Sequence, residues 1–183
     1  VDMIAADALI IHLNCLQELM QEDGDTDWRG LLAAIETVCT CLDVPVIAKE
    51  VGMGISAGTA KRLVNAGVSA IDVAGKGGTN FVEVEAGRTD DPRLRALGEI
   101  FKDWGIATPD AVKAIRAELP DIPLIASGGI RHGLDAAKAI KLGANVIAQA
   151  GPILQAATKS TQAVLDHFEF MESALRIGLA CSE

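Results

Sequence analysis

The chain has 183 residues, half of them apolar, and a formal net charge of −9. That is enough for a single domain over residues 1–183 with a real core, and too apolar for a disordered chain. The acidic balance argues against nucleic acid and anionic membrane as partners, and no apolar run approaches the roughly 20 residues of a membrane span.

The opening residues Val1-Asp2-Met3 lack the basic-then-apolar build of a leader. Cys15, Cys39, Cys41 and Cys181 form no C-x-x-C pair, so they read as reduced thiols of a cytoplasmic protein rather than a metal site.

Ala8–Leu13 is a nearly continuous apolar run and reads as a strand covered on both faces. It leads into His12-Leu13-Asn14-Cys15-Leu16-Gln17-Glu18. Alternate strand residues share a face, so His12 and Asn14 point the same way, with Gln17 and Glu18 in the loop that follows. Glu18 has the hard carboxylate oxygen that Mg2+ prefers. The same residues would also suit a plain strand end with a hydrogen-bonded histidine. Glu22–Asp27 is acidic and reads as a solvated loop, and Asp27 can cap a helix over Trp28–Leu42.

The second strand, Val46–Val51, carries Lys49 inside an apolar run. A buried ammonium needs a partner, either an anionic cofactor or the neighbouring Glu50 carboxylate. Ser56 can cap a helix over Ala57–Ala66 that stops at Gly67. The third strand, Ala70–Ala74, contains Asp72 and opens into Gly75-Lys76-Gly77-Gly78-Thr79-Asn80-Phe81. Its glycines permit close approach to a ligand and Thr79 offers a hydroxyl, although a flexible loop would have the same composition. Val82–Pro92, with Glu83, Glu85 and Arg88, reads as a long loop.

Thr108 caps and Pro109 opens a helix over Asp110–Leu119. The strand Leu124–Ser127 ends in Ser127-Gly128-Gly129-Ile130-Arg131, and a helix over Leu134–Leu142 follows. The strand Val146–Ala150 ends in Ala150-Gly151-Pro152. Glycines between a strand and a helix leave bare N–H groups at the positive helix end, a pocket for phosphate, and Arg131 can fork onto the same anion. Two such turns in succession match the phosphate site of a (β/α)8 barrel; one alone would serve as a ligand-free tight turn. Trp28 and Trp104 read as helix-packing residues. Thr161 to about Ile177 is a closing helix.

Strand and helix alternate, so the fold class is α/β with a parallel sheet. Five strands are five units of a (β/α)8 TIM barrel, which usually needs about 250 residues; the chain has the order of its C-terminal part, with roughly three strands outside it. An open doubly wound sheet is the alternative, but it lacks its usual G-x-G-x-x-G after the first strand.

In this order, Ala8–Glu18, Gly77-Gly78-Thr79-Asn80-Phe81 and Ser127–Arg131 resemble type 2 isopentenyl diphosphate isomerase, an FMN-dependent barrel enzyme. The His-Leu-Asn-x-x-Gln-Glu run separates that family from other FMN barrels. The resemblance implies FMN, Mg2+, NADPH as flavin reductant and a small diphosphate substrate, in a tetramer or octamer. It implies that isopentenyl and dimethylallyl diphosphate interconvert without net redox change. By matching positions, His12, Asn14 and Gln17 would be catalytic, Gln17 would contact substrate and Glu18 would hold Mg2+. Lys49 and Thr79 would contact the flavin, and Gly128, Gly129, Arg131, Ala150 and Gly151 would hold its phosphate. Another FMN-dependent oxidoreductase, or an inactive phosphate-binding barrel fragment, is the alternative reading.

Overall fold

The computed structural model describes residues 1–182. After a short 3-10 turn at Asp2–Ile4, the strands are β1 Leu9–His12, β2 Val46–Lys49, β3 Ala70–Asp72, β4 Leu124–Ala126 and β5 Val146–Ile147. Helices α1 Cys15–Leu19 and α2 Leu31–Cys41 follow β1, and α3 Ala57–Asn65 follows β2. Three helices, α4 Phe81–Arg88, α5 Pro92–Phe101 and α6 Thr108–Glu118, lie between β3 and β4. α7 Gly133–Lys141 follows β4, and α8 Gly151–Ala157 and α9 Thr161–Ala180 follow β5.

Every strand pair is parallel, and the order is β1-β2-β3-β4-β5. This unbroken succession belongs to a barrel wall; a doubly wound sheet reverses its order at a switch point. Five (β/α) units of a (β/α)8 barrel are present, and β1 and β5 stand at the two ends of the sheet.

Register fixes which residues meet. One face carries Ile11, Ala48 and Ile71 side by side, then Leu124 beside Ile71. These pack with Ile35, Leu63, Val112 and Ile115 from the helices into the main core. The other face, the lumen of a barrel, carries Ile10 beside Ile47 and, at the carboxyl ends, the row His12–Lys49–Asp72–Ile125–Val146. Ile10 on β1 is 56% exposed and Val146 on β5 is 52% exposed, as befits the two margins of an open sheet.

Helix ends follow local chemistry. Ser56 accepts the Thr59 N–H and caps α3, and Ser160 does the same for α9 through Ala163. Several expectations need correction. The helix expected from Trp28 starts at Leu31 behind Gly30 (φ +76°), because the Asp27 carboxylate is taken by the N–H and guanidinium of Arg29. The loop expected at Val82–Pro92 is mostly α4, capped by the Asn80 side chain, with Asp91 and Pro92 starting α5. Its period is masked in the sequence by Glu85, which is buried beside Val82. Thr108 is not a cap: Ala107 is, and the Thr108 hydroxyl points to the β4 turn. Trp104 does not pack a helix into the core; it is 62% exposed, with its ring in a T-shaped arrangement with Phe101 at 6.1 Å between centroids.

The closing helix lies on α7 at nearly backbone contact. A Cβ at Gly133 would come 2.2 Å from the Leu175 nitrogen and 2.4 Å from the Met171 oxygen. Gly87 in α4 faces open space. Gly133→Ala will therefore destabilise by about 1–3 kcal/mol or more, from overpacking against backbone. Gly87→Ala will stabilise by about 0.5–1 kcal/mol through helix propensity. Urea unfolding midpoints of the two variants check the opposite signs.

Candidate active site at the carboxyl ends of the strands

The row His12–Lys49–Asp72 places an imidazole, an ammonium and a carboxyl group on one face at the strand ends where barrel active sites lie. Burial pushes the His12 pKa below its ordinary 6.5, and Lys49 lowers it further against an opposing pull from Glu18. His12 is thus a neutral imidazole at neutral pH, able to donate through one ring nitrogen and accept through the other.

Lys49 does not pair with the Glu50 carboxylate. Its ammonium donates to the Glu50 backbone carbonyl at 2.7 Å. The Glu50 carboxylate is already committed: one oxygen accepts the N–H groups of Val51, Gly52, Met53 and Gly54 at 2.6–3.1 Å. Burial pushes the Glu50 pKa up and these four donors pull it down. The carboxylate fills a nest of backbone N–H groups and ends β2 two residues before the sequence pattern does. Gly52 (φ +144°) in that nest abuts the Thr79 carbonyl, where a Cβ would come within 2.8 Å.

Asn14 precedes α1 and turns its amide onto Glu18, Nδ2 to Oε1 at 2.7 Å. The other Glu18 oxygen accepts the Asp25 N–H at 3.0 Å. The Asp25 N–H first, then Asn14, holds Glu18 below its ordinary carboxylate pKa. An ionised carboxylate with free lone pairs is what a hard cation takes from protein. Gln17 donates to Glu85 on α4 at 2.9 Å. Glu85 is 5% exposed and also accepts from Gln21 at 3.1 Å and Arg88 at 3.3 Å. Sequence reading placed Glu85 in a loop and missed this partnership; a glutamate on the inner side of a capped helix was the available signal.

The two glycine loops after β3 and β4 interlock. A Cβ at Gly128 would lie 2.1 Å from the Gly75 oxygen, and one at Gly129 would lie 2.6 Å from the Gly77 carbonyl. Gly128 (φ +90°) and Gly129 (φ +78°) both sit in the left-handed region, and a Cβ at Gly78 would come 2.8 Å from the Gly129 nitrogen. Among the described residues the N–H groups of Gly128, Gly129 and Ile130 have no protein acceptor. A Cβ at Gly151 would meet nothing within 4 Å. Unpaired backbone donors suit an oxyanion. Arg131 is bound through Nε to Asp135 at 3.2 Å and its side chain is otherwise largely exposed. Ala150 precedes α8, which begins at Gly151. Thr79 is exposed at the rim.

Beneath the loops, Ser127 donates to the buried Asp72 at 2.6 Å, and Thr108 donates toward the Ser127 and Gly128 carbonyls at 2.9 and 2.6 Å. Burial pushes the Asp72 pKa up, opposed by Ser127, Lys49 and the Ala74 N–H.

A parallel wall of five strands in sequence order, each joined to the next through helices, defines part of a (β/α)8 barrel protein. The chain belongs to the FMN-dependent dehydrogenase family, whose model matches residues 12–182. It is 57% identical over 182 residues to the isopentenyl-diphosphate delta-isomerase of Stutzerimonas stutzeri, covering 100% of this chain and 53% of that relative. It is 55% identical over 177 residues to the protein of that name from Xanthobacter autotrophicus, covering 97% of this chain and 51% of the relative. The chain spans about half the length of the curated relatives it matches. In fold it resembles a mandelate oxidase variant solved with (S)-mandelic acid, at a TM-score of 0.67 and 20% identity over 98% of this chain and 52% of that one.

Lys49→Met will raise the His12 pKa toward 6.5 without reaching it, since burial remains; imidazole NMR titration reads the shift. Ser127→Ala removes a hydrogen bond that favours charged Asp72. A carboxyl group whose pKa is raised on folding loses its stabilising contribution as pH rises from about 3.8 through the folded value. The variant will therefore be destabilised by about 1–3 kcal/mol at neutral pH and by less near pH 3, by denaturant unfolding at both pH values.

Proposed function

We propose that these residues form the C-terminal half of a flavin-dependent isomerase that interconverts isopentenyl and dimethylallyl diphosphate. The observation that carries the reading is His12 at the carboxyl end of β1, followed in the chain by the Asn14–Glu18 pair and by Gln17 held by Glu85. The high identity to proteins bearing that name supports it.

The two glycine turns fit the phosphate of FMN. Gly128, Gly129, Ala150 and Gly151 would hold it by backbone donors, and Arg131 would add charge by exchanging its Asp135 contact. Lys49 and Thr79 would line the flavin. When bound and reduced, with NADPH as reductant, FMN supplies the proton-transfer chemistry. Mg2+ would take one protein ligand, Glu18, with substrate phosphate and water completing its shell, the usual division of labour for this ion.

The remaining roles belong to this chain's own groups. His12 as a neutral imidazole accepts a hydrogen bond from, or donates one to, the substrate without adding charge. Asn14 orients Glu18 and keeps it ionised. Glu85 holds the Gln17 amide by its nitrogen, which leaves the Gln17 oxygen able to face a substrate C–H. The substrate is a small-molecule diphosphate, and the enzyme works as a homo-oligomer.

The test uses full-length protein containing these residues, under anaerobic conditions with reduced FMN, Mg2+ and isopentenyl diphosphate. Dimethylallyl diphosphate is the expected product, without net flavin oxidation. Steady oxidation or reduction of a substrate instead would favour an oxidoreductase, and no product would sink the reading. Glu18→Gln will lower turnover at limiting Mg2+ by at least about tenfold, the low end for a weakened metal site, with flavin affinity unchanged.

A further inference from the structure

Gln149 stands between β5 and the Ala150-Gly151 turn, and its side chain spans three elements. Its Nε2 donates to the Ile130 carbonyl at 2.9 Å, inside the glycine turn after β4. Its Oε1 lies 2.8 Å from Nε2 of His167, on α9. The Ile130 carbonyl can only accept, so the amide nitrogen must face it and the amide oxygen must face His167. His167 therefore donates through Nε2. Met171, one helical turn on from His167, adds its sulfur 3.4 Å from the same amide nitrogen.

The consequence is mechanical. The Ile130 turn and the Ala150-Gly151 turn end adjacent strands, which pair only through Ile125–Val146 and Ala126–Ile147. The ladder continues one residue further, with the Ala148 N–H on Ala126, and then the backbones separate. Beyond that point the Gln149 amide is the described hydrogen bond between the two turns. α9 in turn sits on α7 at backbone contact distance through Gly133. A single side chain thus fixes the spacing of two sets of backbone donors, and a helix distant in sequence fixes that side chain.

We propose that Gln149 and His167 form a latch that sets the separation of the two phosphate-binding turns, so that both are positioning residues for the flavin's phosphate. This rests on the reading of those turns as the FMN phosphate site. The latch acts through the turns and touches neither the isoalloxazine ring nor the substrate. Its signature is a selective loss of the phosphate's contribution to binding.

The experiment compares FMN with riboflavin, which lacks the phosphate, by flavin fluorescence quenching in full-length protein carrying these residues. Gln149→Leu will weaken FMN binding roughly tenfold, the scale of one lost hydrogen bond, and leave riboflavin binding unchanged. His167→Phe will do the same, and His167→Gln, which keeps an N–H donor, will restore most of the loss. Should Gln149→Leu not fold, the two His167 variants carry the test, with riboflavin binding as the check on folding. Equal weakening of both flavins would reduce the latch to general stability and overturn it. Unchanged FMN binding would overturn it as well. A parent protein that held FMN no more tightly than riboflavin would overturn the phosphate reading, and the latch's role with it.

Discussion

The backbone-to-backbone contact between the loops after β3 and β4 is the constraint on which the rest depends. Gly75 and Gly77 lie where side chains at Gly128 and Gly129 would be. With no Cβ between them, the two loops close to van der Waals distance, and the strands beneath are pulled into a wall with a defined mouth. Ser127, the residue before the pair, then reaches Asp72 across the strands, and Thr108 reaches the Ser127 and Gly128 carbonyls from the start of α6. The Ser127 and Gly128 carbonyls are thereby satisfied, while the Gly128 and Gly129 N–H groups have no acceptor among the described residues. The glycines serve the contact between the two loops.

A second device works on the same principle at β2. The Glu50 carboxylate gathers four consecutive N–H groups and so curls the chain away from the sheet. Lys49 is left to bond the Glu50 carbonyl rather than its carboxylate. The ammonium stays on the lumen face, between His12 and Asp72. Electrostatics there are mutual: Lys49 lowers the His12 pKa and opposes the rise that burial imposes on Asp72. One internal carboxylate thus occupies a nest of backbone donors that would otherwise suit an external anion.

The candidate-site groups are held in pairs, each with a division of labour. Asn14 and the Asp25 N–H occupy Glu18 without neutralising it. Glu85 occupies one end of Gln17 and is itself held by Gln21 and Arg88. Side chains fixed at one end keep their free ends in place without help from ligand, which lowers the ordering cost of binding. These partners come from α1, α4 and the loop before α2, so the site draws on segments far apart in the chain.

Much of this was legible in the sequence. Continuous apolar runs marked the five strands, and Ser56 and Gly67 bounded α3, because these signals are local. His12, Asn14, Gln17 and Glu18 were legible as a cluster because strand alternation puts the first two on one face. What the sequence could not supply was partnership. Glu85 is polar and breaks the apolar period of α4, so its helix read as a loop until Gln17 was seen to hold it. Lys49 read as needing either an anionic cofactor or the Glu50 carboxylate, and four backbone donors take that carboxylate. Asp27 read as a helix cap, until Arg29 claimed it. Local pattern determines where elements begin and which face is apolar; competition among donors and acceptors distant in sequence decides which polar group meets which, and only the folded chain resolves that competition.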